Sequence, residues 1–360
     1  MQRVRRGYVT LCFSSEEIVS HFGGSFVSRW PWGEGRIIWW LYPVRETFKN
    51  RTVVKEFWIL GFENAHNFRV LLFLLFLVNY IVTCSANFMI VLLVCASHHI
   101  YSPMYFFLSH LSLNDILLTT NIVPQMLSVV LREGSAMSIA GCFTQFYFFE
   151  ISATTECLLL TVMSYDRYLA ICNPLRYSSI MDLKLCVYLV TLTWVCGLVF
   201  SLAHIVFFTR LIFCGSNVIN HFFCDMVPLL KLSCSDISGN EMVNFVLSIP
   251  ILFFPLVCIT LTYTNILISI LRISTTTGRQ KAFSTCSSHL TVVCIYYGTL
   301  VFNYVIPSKG KYLSLQKQVS VLYTMVTPLL NPIIYSLRNE EIRGSLNRFI
   351  FNRKGGTFQT

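Results

Sequence analysis

Gly141-Cys-Phe143, then Phe149-Glu150 and Thr155-Glu156-Cys157, then Met163-Ser-Tyr-Asp-Arg-Tyr-Leu-Ala-Ile-Cys-Asn-Pro-Leu-Arg-Tyr177 form one stretch that decides how the chain folds. Between Gly134 and Tyr165 the only charged residues are Glu150 and Glu156. Such a run reads as a membrane-crossing helix, for which about 20 apolar residues suffice. At about 1.5 Å per residue, Cys142 and Arg167 lie roughly 37 Å apart along it, and the hydrocarbon of a bilayer is about 30 Å thick. The cysteine therefore belongs at one membrane face and the arginine at the other, with two carboxylates at depth between them.

Composition agrees. Hydrophobic residues make up 54% of the 360-residue chain and charged residues 12%, which excludes a soluble domain of this length. The net charge of +10 sits between apolar runs and at the ends, which assigns it to a membrane surface and to no nucleic acid. The 14 cysteines include no CxxC pair of zinc spacing, so no metal site is read from them. Cys84, Cys95 and Cys258 lie inside apolar runs as small core residues.

Uncharged runs cover Val70–Ser97, Leu185–Thr209, Met242–Leu271, Ala282–Ser308 and Gln318–Leu337. With Ile100–Leu131, broken only by Asp115, and the central segment, they predict seven spans. The even-numbered gaps and the tail, Arg167, Arg272, Arg279 and Arg343 among them, hold more basic residues than the opposite loops, which puts the C-terminus in the cytoplasm. Residues 1–46 hold four of the six tryptophans and no run long enough for a signal peptide or a span. They read as an atypical, disordered extension, followed by an extracellular tail at 47–69, a seven-span domain at 70–338 and a cytoplasmic tail at 339–360. Asn50-Arg-Thr52 is a glycosylation sequon. Glu340 to Phe351 alternates basic and apolar residues, as an amphipathic helix on the inner leaflet does.

The fifteen-residue string Met163–Tyr177 resembles the signature of odorant receptors, a branch of the rhodopsin-like G-protein-coupled receptors. Ser102-Pro-Met-Tyr-Phe-Phe-Leu-Ser-His-Leu-Ser-Leu-Asn-Asp115, Lys281-Ala-Phe-Ser-Thr-Cys-Ser-Ser-His-Leu-Thr-Val-Val293 and Pro328-Leu-Leu-Asn-Pro-Ile-Ile-Tyr-Ser-Leu-Arg-Asn339 carry the same resemblance, which extends over residues 48–352. Ala86-Asn87 departs from it, since the family more often has glycine before that asparagine. The implied fold is an all-α membrane protein, a seven-transmembrane-helix bundle with an extracellular N-terminus. The implied function is binding of small volatile ligands and activation of a stimulatory, olfactory-type G protein that raises cAMP. Plasma-membrane residence, in sensory cilia, and trafficking helper proteins follow from the same likeness. No enzyme activity and no soluble cofactor are implied.

Four cysteines, Cys142, Cys214, Cys224 and Cys234, fall on the oxidising side and allow three pairings, which sequence alone leaves open. The resemblance implies Cys142–Cys224 and Cys214–Cys234. It also brings Asp115, Glu156 and Asn331 together in mid-bundle. Two carboxylates in low dielectric call for a counter-charge or a shared proton, so this is either an ion-linked brake holding sodium or a static hydrogen-bonded knot. At the inner end, Asp166-Arg167-Tyr168 is the expected switch, with Arg167 held by Asp166 and freed on activation toward Tyr263 and Tyr335 of the Asn331-Pro332 string. A merely snorkelling arginine is the alternative. Glu150 lies about 12 Å below the outer face, among Phe149, Ala153 and Thr154. By analogy Ser201, His204, Asn244, Leu247, Tyr297, Leu300, Val301, Tyr304, Val321 and Thr324 face the same mainly apolar cavity. Glu150 either recognises a ligand's hydroxyl or amine, or pairs with His204. A transporter would show internal repeats and a membrane enzyme a nucleophile–base pair or metal motif; the sequence offers neither.

Overall fold

The computed structural model describes residues 54–62, 67–96, 102–214, 216–234, 238–305 and 312–337, with side chains of 238–249, 281, 285 and 312–314 excepted. The extension at 1–46, the sequon at Asn50 and the amphipathic segment 340–351 lie outside these residues. Seven long helical segments cross the bundle: α1 (Arg69–Ala96), α2 (Pro103–Arg132), α3 (Ile139–Cys172), α5 (Leu183–Phe208), α7 (Ser238–Arg272), α8 (Thr276–Tyr304), and a last one built from α9 (Tyr312–Val321), a π-helical turn (Leu322–Val326) and α10 (Thr327–Leu337). Short helices α4 (Pro174–Ile180) and α6 (Met226–Leu232) lie in the connections. Five of these segments, α1, α3, α5, Pro250–Arg272 of α7, and α8, are long and apolar enough by themselves to cross a membrane. The second carries polar residues through its length and the last is divided by the π-helical turn; α2 packs against α1 and α3, and α10 against α1 and α8.

Apolar side chains fill the core and also cover the outside of the bundle. The buried residues of α1 are Thr83, Asn87, Ile90 and Leu93, spaced three or four apart on one stripe, while Val70, Leu74, Val78 and Phe88 stay exposed. An all-round apolar helix with its few polar groups turned inward suits hydrocarbon as solvent. The stripe is tied by Asn87, whose Nδ2 donates to Pro328 O at 3.0 Å. Helix α3 is the pillar, packed on α2, α5, α7 and α8, with 61% of its apolar window buried against 22% for α1. It starts where Ser138 caps the amide of Gly141 at 3.1 Å. At Gly197 the α5 backbone comes so close that an added Cβ would lie 2.7 Å from Thr155 Oγ1.

The outer end carries an element with no counterpart in the sequence reading, a three-stranded sheet of order β2-β1-β3. Strand β1 (Glu56–Ile59) lies in the middle, antiparallel to β2 (Ser135–Ser138) and parallel to β3 (Val218–Ile219). Phe57 and Ile59 are buried while Glu56 and Trp58 face out, the two-residue alternation of a half-covered strand. The segment before the first span therefore straps two loops together. Disulfides Cys142–Cys224 and Cys214–Cys234 fix the larger loop, the first to the opening turn of α3. Gly61, at φ +67° and packed against Val129, makes the turn after the strand.

Candidate functional site

Polar side chains cluster at three depths. At the outer depth, Glu150 of α3 and His204 of α5 are joined directly through Oε2 and Nδ1, so the pairing open in the sequence is formed. Phe149 is buried with its ring 5.1 Å from that of Phe223 and 6.0 Å from Tyr323. Tyr304 at the end of α8 donates its hydroxyl to Asp225 Oδ1 at 3.0 Å and shares a 3.3 Å hydrogen bond with Tyr323. Asn303 Nδ2 donates to Ser320 Oγ at 2.8 Å. Several expected lining residues turn their polar atoms to nearby carbonyls: Ser201 to Gly197 O at 2.7 Å, Thr324 to Ser320 O at 2.7 Å, and Tyr297 to Cys157 O at 3.0 Å. What they leave to a ligand is apolar surface. Leu300 and Thr154 are buried, and Ala153, Val301 and Val321 half-buried. Tyr296 donates to Ala153 O at 2.9 Å, one turn nearer the outer end of α3 than the carbonyl that Tyr297 reaches. The side chains of Asn244 and Leu247 lie outside the described residues.

The loop above this region supplies residues that sequence reasoning missed. Asp225 caps α6 through the Met226 amide at 2.8 Å and is buried. Burial pushes its carboxyl up to about 6, against the pull of the Met226 amide and the Tyr304 hydroxyl, with Glu150 adding to the rise. His221 is buried against Phe222 and Phe223. Burial and the Lys317 charge push its imidazole down to about 3. Lys317 itself donates to Gly61 O, beside the strap. The signal for Asp225 was its place immediately before a short helix.

At mid-depth, Asn331 Nδ2 donates to Asp115 Oδ1 and Oδ2 at 3.3 and 3.0 Å. Glu156 is fully buried, and among the described residues neither of its oxygens, nor Asn331 Oδ1, has a hydrogen-bond partner. Orphaned buried carboxylate oxygens are costly unless a proton or a cation meets them. An all-oxygen set suits a hard cation rather than a thiolate- or imidazole-seeking metal, so the residues present fit a sodium ion.

At the inner depth, buried Asp166 accepts from Arg167 Nε at 3.0 Å and its terminal nitrogen at 2.6 Å, and from the Tyr177 hydroxyl at 2.7 Å. Tyr177 belongs to α4, and burial together with the Asp166 charge holds its hydroxyl protonated. Tyr263 shares a 2.7 Å hydrogen bond with His289 Nδ1, their rings stacked at 5.7 Å. The Tyr335 hydroxyl is buried and has no hydrogen-bond partner among the described residues. Arg167 is thus latched to Asp166 and bonded to neither tyrosine. Tyr168 is half-buried beside it, its ring 6.3 Å from Tyr165.

The sequence profile of the olfactory receptor family matches residues 76–353. Olfactory receptor 5G9 of Mus musculus is 47% identical over 306 residues, 85% of this chain and 98% of the relative. Olfactory receptor 1J4 of Homo sapiens is 46% identical over 305 residues, 85% of this chain and 97% of its own. Olfactory receptor 6B3 of Homo sapiens is 46% identical over 300 residues, 83% of this chain and 91% of the relative.

Proposed function

We propose that this chain, which belongs to the olfactory receptor family of G-protein-coupled receptors, takes small organic ligands in the outer half of its bundle and couples to a stimulatory, olfactory-type G protein. As a family member it is a multi-pass plasma-membrane protein and a receptor, not an enzyme. Sensory cilia are the proposed site of action, with helper proteins for delivery. The observation that carries the coupling reading is the latch itself, Arg167 and Tyr177 both donating to Asp166, with Tyr263 and Tyr335 waiting across the inner end.

The outer site is bounded by Phe149, Glu150, Ala153, Thr154, Ser201, His204, Tyr297, Leu300, Val301, Tyr304, Val321 and Thr324. Its ligand contacts are mainly apolar because the hydroxyls of Ser201, Thr324 and Tyr297 already have partners. The Glu150–His204 pair offers one polar anchor between α3 and α5. A ligand wedged against Phe149 and Tyr304 presses on α8, and any state it prefers gains population at the expense of the latched one. At the inner end that state frees Arg167 toward Tyr263 and Tyr335 and opens a cleft for the G protein. Asp115, Glu156 and Asn331 would hold a sodium ion in the latched state, where the ion supplies the charge that balances two buried carboxylates.

The test is cAMP output in cells co-expressing the receptor, the olfactory G protein and a delivery helper, with a panel of small odorants. A dose-dependent response whose basal level rises when external sodium is replaced by an organic cation, and no longer does so in Glu156→Gln, is expected. Silence across a broad panel at proven surface expression contradicts the ligand reading. Sodium sensitivity unchanged in Glu156→Gln contradicts the ion reading.

A further inference from the structure

The inner ends of α7 and α8 line an open groove of about 430 Å³. Its walls are Leu267, Ile270 and Leu271 on α7 and Phe283 on α8, completed by Thr276, Arg279 and Gln280, and the surface they turn into it is almost wholly apolar. Which way it faces follows from helical spacing. On α7 the inward stripe runs through Ile259, Tyr263, Ile266 and Ile270, all buried. Leu267 and Leu271 lie off it and continue the exposed stripe of Val257, Leu261 and Ile268. On α8, Phe283 shares the exposed side with Gln280, Thr291 and Cys294, opposite buried Cys286, His289 and Val293. The groove therefore opens toward hydrocarbon, with Ile270 as its floor.

The groove ends at the membrane edge. Arg279 donates one terminal nitrogen to Leu271 O at 3.3 Å and Ile273 O at 3.0 Å; its other terminal nitrogen and Nε bond to no described residue. Arg272 follows Leu271 directly, closes α7, is exposed, and has no hydrogen bond to a described residue. Leu267 lies five residues deeper, about 7.5 Å along the helix. An apolar trough at acyl-chain depth under two guanidinium groups at headgroup depth is complementary to an amphiphile with a negative head.

We propose that this groove binds an anionic phospholipid of the inner leaflet, its chain along Leu267, Leu271 and Phe283 and its phosphate at Arg272 and Arg279. Basic pockets between spanning helices on the cytoplasmic side recognise such headgroups, and guanidinium meets phosphate through paired donors. Binding there would brace the inner ends of the two helices whose inward faces carry Tyr263 and His289. A helix of the G protein is the rival occupant, but it would have to reach the groove from the lipid side, past Leu271 and Phe283.

The test uses the purified full-length receptor and native mass spectrometry, with phosphatidylinositol bisphosphate and phosphatidylcholine offered in equal amounts. Selective retention of the anionic lipid is expected, falling about five-fold for each arginine replaced in Arg272→Gln and Arg279→Gln. Arg272→Gln breaks no bond to a described residue, so it keeps the test open should Arg279→Gln loosen the end of α7. In Phe283→Trp, brominated chains on the anionic lipid should quench the new tryptophan more than the same chains on phosphatidylcholine. Equal retention in wild type and the double variant, or equal quenching by the two lipids, overturns the proposal. So does a Phe283→Ser receptor that keeps its lipid but loses affinity for the purified stimulatory G protein, since the groove would then belong to the protein.

Discussion

The two ends of the bundle are held in different ways. At the inner end the latch joins neighbours in sequence: Asp166 to the adjacent Arg167, and to Tyr177 eleven residues on. At the outer end the contacts span the chain, with Glu150 and His204 54 residues apart, Asp225 and Tyr304 79 apart, and Gly61 and Lys317 256 apart. A local latch can be written once in a short string and kept whatever the ligand. An outer site assembled from distant segments can change residue by residue without disturbing the latch. On the proposed function, specificity and switching lie at opposite ends of α3.

If that division holds, damage to the outer end should first appear as lost folding. The Cys142–Cys224 bond closes a separation of 82 residues and Cys214–Cys234 one of 20. Native disulfides contribute about 2–5 kcal/mol, more for longer loops. Cys224→Ser is expected to remove most receptor from the surface, scored by antibody on unpermeabilised cells, and Cys214→Ser less. Equal surface levels in both variants and wild type would mean that the covalent lid does not organise the outer end. The inner end should respond by switching instead. Tyr177→Phe deletes a hydrogen bond to a charged acceptor, worth about 1.5–3 kcal/mol, and should raise ligand-free cAMP several-fold at unchanged surface expression. Unchanged basal output would take Tyr177 out of the latch.

The smallest effect sharpens the outer end. Asp225, at about 6, lies above its ordinary 3.8, so its contribution to lid stability is full below about 4 and lost as pH rises through 6. His221, at about 3, lies below its ordinary 6.5, so its contribution is present above 6.5 and lost as pH falls toward 3. Between pH 4 and 6 the two oppose each other. Hydrogen exchange over residues 54–62 and 216–234, corrected for intrinsic rates, should therefore change little with pH in wild type. In Asp225→Asn the lid should loosen on acidification, and in His221→Gln it should tighten. Parallel slopes in the two variants would remove these residues as the source.

Legibility from sequence follows the same divide. The spans were readable because hydrocarbon demands long apolar runs, as in Val70–Ser97 against the observed Arg69–Ala96. Ends were less so: α8 begins at Thr276 and α9 at Tyr312, both ahead of the apolar runs, because a helix continues into the headgroup layer where hydropathy falls silent. The strap was invisible, since strands of four and two residues carry no usable periodicity and their partners come from other loops. Asp166, Arg167 and Tyr335 stood in recognisable strings, whereas the Tyr304 bond to Asp225 and the Tyr263 bond to His289 have no local pattern. Of the disulfides, spacing alone left three pairings, and the fold joins Cys142 to Cys224 and Cys214 to Cys234.

The most direct measurement is ligand-driven cAMP in Arg167→Ala beside wild type, at matched surface expression and with an odorant that activates the intact chain. With Arg167 the group that the inner end releases, the account predicts that the response disappears while the receptor still reaches the surface and still binds the odorant. A full response in Arg167→Ala would contradict it, and would leave the Asp166–Arg167–Tyr177 cluster as packing at a membrane edge.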